Sequence, residues 1–326
     1  MQQLAYVNSH PKPFRFGLLS AAATGAAWLR DARDAEARGY ATLALTDHLD
    51  LSGAHVTRLA WLPALAAAAA VTTRLRLTTM VANQDLRHPA VLAREVATLD
   101  VLSAGRFELG LGAGWTEKEY VWAGLHFDSA GRRIERLEEY VAVVQGLLRL
   151  GAGATFSLAG KHFTIREMPG GPFPVQAQLP LMLGGARPKM LALAGRRADI
   201  VNILTLQDIG TTHQVLDEKL RWVRAGAGER FASLELATSI ALVASMHADP
   251  LEAVRRALPQ VPFAQHLAAK MPLATLAASC FVLAGDVERI CAELQERRER
   301  WGLCYYVLPA EAIPVMQPVI DRLAGH

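Results

Sequence analysis

The chain has 326 residues, 52% of them hydrophobic and 20% charged, with 34 basic against 31 acidic side chains. Such a composition supports a sizeable core and excludes disorder. A net charge of +3, with bases and acids interspersed as in Arg132-Arg133-Ile134-Glu135-Arg136 and Glu296-Arg297-Arg298-Glu299-Arg300, excludes a dedicated binder of nucleic acid or membrane.

The elements alternate along the chain. Phe14 to Leu19 reads as a first strand, and Thr24 to Arg38 as a helix capped by Thr24 and stopped at Gly39. Tyr40 to Thr46 is a second strand, Pro63 to Thr73 a helix, and Arg74 to Ala82 a third strand. Pro89 to Leu102 is a helix begun by its proline and ended by Ser103-Ala104-Gly105. Arg106 to Leu111 is a fourth strand, and Ile134 to Leu150 a long amphipathic helix. Gly151 to Gln178 is rich in Gly and Pro, with a hairpin of Thr155-Phe156-Ser157 against His162-Phe163-Thr164; it reads as an insertion. The alternation resumes with strand Leu179 to Leu183, helix Pro188 to Arg197, strand Asp199 to Leu204 and helix Thr212 to Ala225. Strand Leu234 to Ala244 follows, then a helical insertion at about 249–277. Helix Asp286 to Trp301, strand Leu303 to Leu308 and a short helix at Ile313 to Leu323 close the chain. Eight strands, each followed by helix, predict an α/β fold of the (β/α)8 TIM-barrel class, as a single domain over 1–326.

Three cysteines, Cys280, Cys291 and Cys304, are odd in number and widely spaced, so neither a disulfide frame nor a zinc site is expected. Met1 to Pro13 has no apolar signal-type core, and the Ala-rich run Ala60 to Val71 is too short to span a bilayer. A cytoplasmic setting is the expectation.

In a TIM barrel chemistry sits at the C-terminal ends of the strands. The second strand ends in Thr46-Asp47-His48. A carboxylate beside an imidazole can hold a polar ring edge or exchange protons; the plainer alternative is a turn capped by Asp47. The third strand is followed by Met80-Val81-Ala82-Asn83-Gln84-Asp85, then by Arg87-His88-Pro89, where His88 takes a structural place at a helix start. After the fourth strand come Gly110-Leu111-Gly112-Ala113-Gly114-Trp115. These glycines either admit a planar ring or phosphate close to the backbone, or make a tight turn. After the fifth come Leu183-Gly184-Gly185-Ala186-Arg187-Pro188, two glycines before a helix N-terminus. That is an anion site to which Arg187 can add a charge-assisted contact, or a plain connection. Trp301-Gly302 and Cys304-Tyr305-Tyr306 read as core packing. The ten histidines show no metal-ligand spacing, and no nucleophile elbow is present.

Taken together, the motifs resemble the luciferase-like monooxygenase superfamily over nearly the whole chain. They are Leu45-Thr46-Asp47-His48-Leu49, Arg87-His88-Pro89-Ala90-Val91-Leu92-Ala93, Leu99-Asp100-Val101-Leu102-Ser103-Ala104-Gly105-Arg106-Phe107 and Gly110 to Trp115. Leu183-Gly184-Gly185-Ala186, Arg197-Ala198-Asp199-Ile200 and Leu283-Ala284-Gly285-Asp286-Val287 complete the set. Thr46-Asp47-His48 looks like the branch that uses the deazaflavin coenzyme F420. The resemblance implies that Asp47 and His48 lie by the deazaflavin, with His48 at the reaction centre. It implies a bulge with a non-prolyl cis peptide at Met80–Val81, Asn83 at the ring edge, and Gly112, Ala113 and Gly114 beside the coenzyme. Gly184, Gly185, Ala186 and Arg187 would hold its phosphate. The sugar-phosphate dehydrogenase of this branch has an acid after the strand-four glycines; Trp115 stands here instead. Its acid near the end of strand one has no equivalent in Leu18-Leu19-Ser20-Ala21. These departures point to an apolar pocket containing Trp115, with proton transfer falling to His48, a water or the substrate.

The expected activity is hydride transfer between the deazaflavin C5 and a small, apolar or unsaturated organic substrate. The alternative is an FMN-dependent monooxygenase using O2. A reading of another class is a non-catalytic flavin-binding barrel. A homodimer is the expected assembly, with no nucleic-acid or membrane partner.

Overall fold

The computed structural model describes residues 12–49, 59–206, 208, 212–244, 247–261, 265, 268–269 and 271–326. Most of the expectation for Met1 to Pro13, and part of that for 249–277, lie outside the described residues.

The elements run β1 (Arg15–Leu19), α1 (Gly25–Ala37), β2 (Thr42–Leu45), α2 (Trp61–Val71), β3 (Arg76–Thr79), β4 (Ala82–Asn83), α3 (Pro89–Leu102) and β5 (Phe107–Gly112). There follow α4 (Glu117–Trp122), α5 (Ala130–Leu148), the hairpin β6 (Thr155–Ala159) and β7 (Thr164–Pro169), β8 (Leu181–Gly185), α6 (Pro188–Arg197), β9 (Ile200–Ile203) and α7 (Thr212–Ala227). The rest are β10 (Glu235–Ser239), β11 (Leu242–Ala244), α8 (Pro250–Ala257), α9 (Leu273–Ala277), β12 (Val282–Ala284), α10 (Val287–Trp301), β13 (Leu303–Pro309) and α11 (Ile313–Leu323). The main sheet has the order β3-β2-β1-β13-β10-β9-β8-β5-β4, and β3 also pairs with β5, so it closes on itself. With β3 and β4 counted as one interrupted strand, the fold is the predicted α/β barrel of eight strands.

The chain groups into two compact units. One comprises Ala21–Asp34 and Leu43–Gly184. Alanine, the best helix former, fills α2, whose Ala64, Ala68 and Ala69 are buried. Trp61 stacks on Phe107 at 6.3 Å and 7° between planes, and the Trp28 indole donates to the Ala64 carbonyl at 2.6 Å. Pro89 opens α3, and the His88 ring nitrogen accepts the Ala90 N–H at 3.3 Å, the structural place expected of it. The antiparallel hairpin β6–β7 lies where the insertion was expected. Beyond it, Asp100 anchors the chain by accepting the N–H groups of Val175 and Gln176 at 2.7 and 3.0 Å.

The other unit comprises Met1–Ser20, Ala35–Thr42 and Gly185–His326. Here β1 pairs in parallel with β13, β13 with β10, and β10 with β9. Helices α6 and α7 cross through glycines: a Cβ at Gly226 would meet the Ala192 carbonyl oxygen at 1.9 Å. Asp286 caps α10 by accepting the Arg289 N–H at 2.9 Å, and Gly302 ends it at φ +75°. The single strand read over Leu234 to Ala244 is in fact two. After β10 the chain leaves the barrel, and β11 pairs instead with β12 in a small parallel sheet. Leu242, Val254, Leu276 and Phe281 supply its own apolar cluster, which the strand period alone could not reveal.

Candidate active site

Buried β2 carries the chain to Asp47 and His48. The Asp47 carboxylate faces the strand that follows: its Oδ2 accepts the Asn83 N–H at 3.1 Å and Arg87 Nη1 at 3.3 Å. The Arg87 guanidinium lies over the Trp61 ring at 5.0 Å. Burial pushes the Asp47 carboxyl above its ordinary range, against the lowering effects of Arg87, the Asn83 N–H, His48 and Trp61. Asp47 thus ties two strand ends together, and its hydrogen bonds do not go to its neighbour His48.

The second strand end is bulged. Thr78 pairs with Glu108 and Ala82 with Leu111; 82 − 78 = 4 steps face 111 − 108 = 3, so one residue is extra. Where the ladder is broken, the Thr79 hydroxyl donates to the Gly110 carbonyl at 2.7 Å and accepts the Gly110 N–H at 3.0 Å. Both orphaned backbone groups are thereby satisfied. The peptide Met80–Val81 is cis, as the resemblance implied. The bulge also explains the strand-four glycines. A Cβ at Gly110 would meet the Thr79 carbonyl oxygen at 1.9 Å, one at Gly112 the Val81 side chain at 2.6 Å, and one at Gly114 the Tyr120 hydroxyl at 1.9 Å. The close approach read into these glycines is therefore made by the protein's own bulge and helix.

That helix, α4, was not anticipated. It carries Glu119, whose Oε1 and Oε2 lie 3.1 and 2.9 Å from His48 Nδ1, and whose Oε1 accepts the Leu49 N–H at 2.7 Å. The Glu119 side chain is 5% exposed and that of His48 16%. The sequence has Trp115 where the resembling dehydrogenase has an acid, and it marks no carboxylate other than Asp47 near His48. The structure supplies one four residues further on. The only local signal is Thr116-x-x-Glu119, the pattern of a capping box, which would return the carboxylate to its own helix. Thr116 makes no side-chain cap, and the carboxylate goes to β2 instead.

The next residue fixes the helix. The Tyr120 hydroxyl lies 3.1 Å from Asn83 Oδ1 and donates to Asp85 Oδ2 at 2.7 Å, and Asp85 is held by Arg136 Nε at 2.8 Å. Burial and the Asp85 contact push the Tyr120 phenol up, so it stays a neutral donor. Asn83 Oδ1 also accepts the Asp85 N–H at 3.1 Å. The oxygen is committed, and among the described residues the amide NH2 is left for an acceptor. Trp115, 60% exposed, stands edge-on to the His48 ring at 5.8 Å. Ala113 is half-buried.

The β8 end, in the other unit from Gly185 onward, is built differently. Gly184 and Gly185 are buried, and a Cβ at Gly185 would meet Met190 Cγ at 2.3 Å. That glycine lets α6 start close against its strand. The Ala186 carbonyl accepts Lys219 Nζ at 2.6 Å, and Lys219, 2% exposed, pairs with Asp208 at 2.9 Å. Arg187 is the exposed N-cap of α6, has no side-chain capping bond, and precedes Pro188 at N1. The first-turn N–H groups of Lys189 and Met190 have no partner within the helix.

Among the described residues no cluster of His, Cys, Asp or Glu fits a metal ion, and no helix is long and apolar enough to cross a membrane. The cysteines are free and buried, and burial pushes the Cys280 and Cys304 thiols up to about 11 and about 12, away from thiolate chemistry.

The class defined by this barrel and its bulged strand end is matched by sequence. The family model of luciferase-like monooxygenases matches residues 13–300, and the chain belongs to that family. An F420-dependent glucose-6-phosphate dehydrogenase of Nakamurella multipartita is 34% identical over 200 residues, covering 58% of this chain and 56% of that protein. Pyrimidine monooxygenase RutA of Bradyrhizobium sp. strain BTAi1 is 34% identical over 159 residues, 48% of this chain and 43% of that protein. The chain spans about half the length of the curated relatives it matches. The coenzyme F420-dependent tetrahydromethanopterin reductase of Methanopyrus kandleri superposes with a TM-score of 0.74 at 18% identity, covering 96% of this chain and 100% of that one. That likeness shows the fold.

Proposed function

We propose that the chain is an F420-dependent oxidoreductase that moves a hydride between the deazaflavin and a carbon of a small organic substrate. The observation that carries this reading is the β2–β4–α4 cluster. His48 is backed by Glu119 and faces Trp115, and the adjacent Asn83 has its oxygen committed and, among the described residues, its NH2 uncommitted. The residues fit the coenzyme on that ground: the Asn83 NH2 would donate to an acceptor at the ring edge, and the bulge at Met80 and Val81 would support its back. Met80 is buried and Val81 half-buried. The α6 turn by itself has the means to hold a phosphate, through Arg187 and the first-turn N–H groups, with Gly184, Gly185 and Ala186 shaping it. Bound deazaflavin would supply a two-electron carrier. The chain's own part is to orient it, to keep Asp47 tied to Asn83 and Arg87, and to hold or move a proton at His48. Trp115 would give the substrate an apolar wall.

A second reading, an FMN-dependent monooxygenase using O2, draws support from the likeness to the pyrimidine monooxygenase. Titrating the purified chain with F420 and with FMN separates the two. Tight F420 binding with substrate-dependent loss of its absorbance is expected. Tight FMN binding with oxygen uptake, and no affinity for F420, would reverse the assignment.

A further inference from the structure

An imidazole that exchanges a proton acts through one nitrogen, and the hydrogen bond at the other decides which. At His48 the Nδ1 edge meets the Glu119 carboxylate at 2.9 Å. A carboxylate has only acceptors. Its Oε1 already accepts the Leu49 N–H at 2.7 Å, so the group cannot turn its polarity towards the ring. Nδ1 must therefore donate. His48 Nε2 has no hydrogen-bond partner among the described residues. The register of α4 that aims Glu119 is set by the next side chain, since the Tyr120 hydroxyl binds Asp85 at 2.7 Å, and Arg136 holds Asp85.

We infer that Glu119 is a positioning residue that sets His48 as its Nδ1–H tautomer, so that Nε2 alone exchanges a proton with the substrate. The tautomer stands on the geometry of this chain; its use in turnover rests on the oxidoreductase reading above. Neutral His48 is then an acceptor at Nε2. A proton lost by the substrate as its hydride leaves for the oxidised coenzyme goes to Nε2. The resulting imidazolium is offset at Nδ1 by the carboxylate, and the reverse reaction returns the proton from the same atom.

The test uses the full chain labelled with 15N in histidine, at a pH where the ring is neutral. The His48 signals are identified by their loss in His48→Asn. Wild type is expected to show the proton on Nδ1 and a bare Nε2. In Glu119→Gln the amide oxygen keeps the Leu49 N–H and the NH2 turns to Nδ1, which must now accept; the proton moves to Nε2. A wild-type His48 protonated at Nε2, or a tautomer unchanged in Glu119→Gln, overturns the inference. If that variant does not fold, as judged by its melting, the wild-type tautomer decides alone. In turnover, Glu119→Gln is expected to lower kcat by up to about 10⁴, the loss a wrong histidine tautomer causes when a carboxamide replaces the orienting carboxylate of a catalytic triad. F420 affinity is expected to stay unchanged. Should wild type bind no F420 while the tautomer follows Glu119, the coenzyme assignment fails and this inference survives.

Discussion

The β2–β4 end and the β8 end are both barrel-strand ends that the sequence marked as sites, yet they are held by opposite means. At the first, side chains do the work: Asp47, Asn83, Asp85, Tyr120 and Arg136 form one run of charged and neutral hydrogen bonds, and Glu119, next to Tyr120 on α4, holds His48. At the second, backbone does it: a glycine packed on Met190, a carbonyl on buried Lys219, and one exposed arginine at the helix start. The difference teaches where each should be sensitive. A rigid side-chain network orients chemistry and loses function when one member changes. A backbone anion site tolerates changes around it and answers to charge.

The comparison breaks most visibly at His48. His48→Ala is expected to lower turnover by about 10² to 10⁴ while leaving coenzyme affinity nearly unchanged, measured by steady-state rates beside a binding titration. A variant with full turnover would remove the first strand end from the chemistry. Next is Gly110→Ala, whose Cβ would strike the Thr79 carbonyl. Urea unfolding should show a loss on the order of 3 kcal/mol, because backbone must shift and not merely a side chain. Tyr120→Phe removes the bond to Asp85 and is expected to lose about 1–3 kcal/mol in the same assay, since a half-buried carboxylate loses one of its donors. At the other end Arg187→Ala should weaken F420 binding by about tenfold with no change in melting temperature, as an exposed charge-assisted contact would. Unchanged affinity would take the phosphate away from this turn.

The smallest effect concerns Asp47. Its folded pKa is raised by burial. The folded state therefore binds the proton more tightly than the unfolded one. That contribution favours folding fully below the unfolded value and is lost as pH rises through the raised folded value. Unfolding free energy measured upward from the ordinary carboxylate range should fall more in wild type than in Asp47→Asn. Equal slopes would mean that the carboxyl does not titrate between the two states.

Much of this was legible along the chain. Pro89 and Pro188 at N1 and Asp286 ahead of α10 are local signals, and the helices begin where those residues stand. The strand ends were legible because barrel strands alternate with helices at short range. Two things were not. Glu119 carried the pattern of a helix cap, and only the approach of β2 to α4 redirected it. The strand-four glycines carried the pattern of a ligand cradle, and only the bulge in the neighbouring strand showed what fills the space above Gly110 and Gly112.

The sequence by itself determined the eight-strand alternation, the helix starts and the residue types at each strand end, because these follow from periodicity, caps and turns within a few residues. Tertiary structure decided the partners. It turned Asp47 to Asn83 and Arg87, gave His48 to Glu119, committed the oxygen of Asn83, and split the strand after Ser239. The reason is that a hydrogen bond is settled by which groups meet across elements 36 to 71 residues apart, and no local pattern records that meeting.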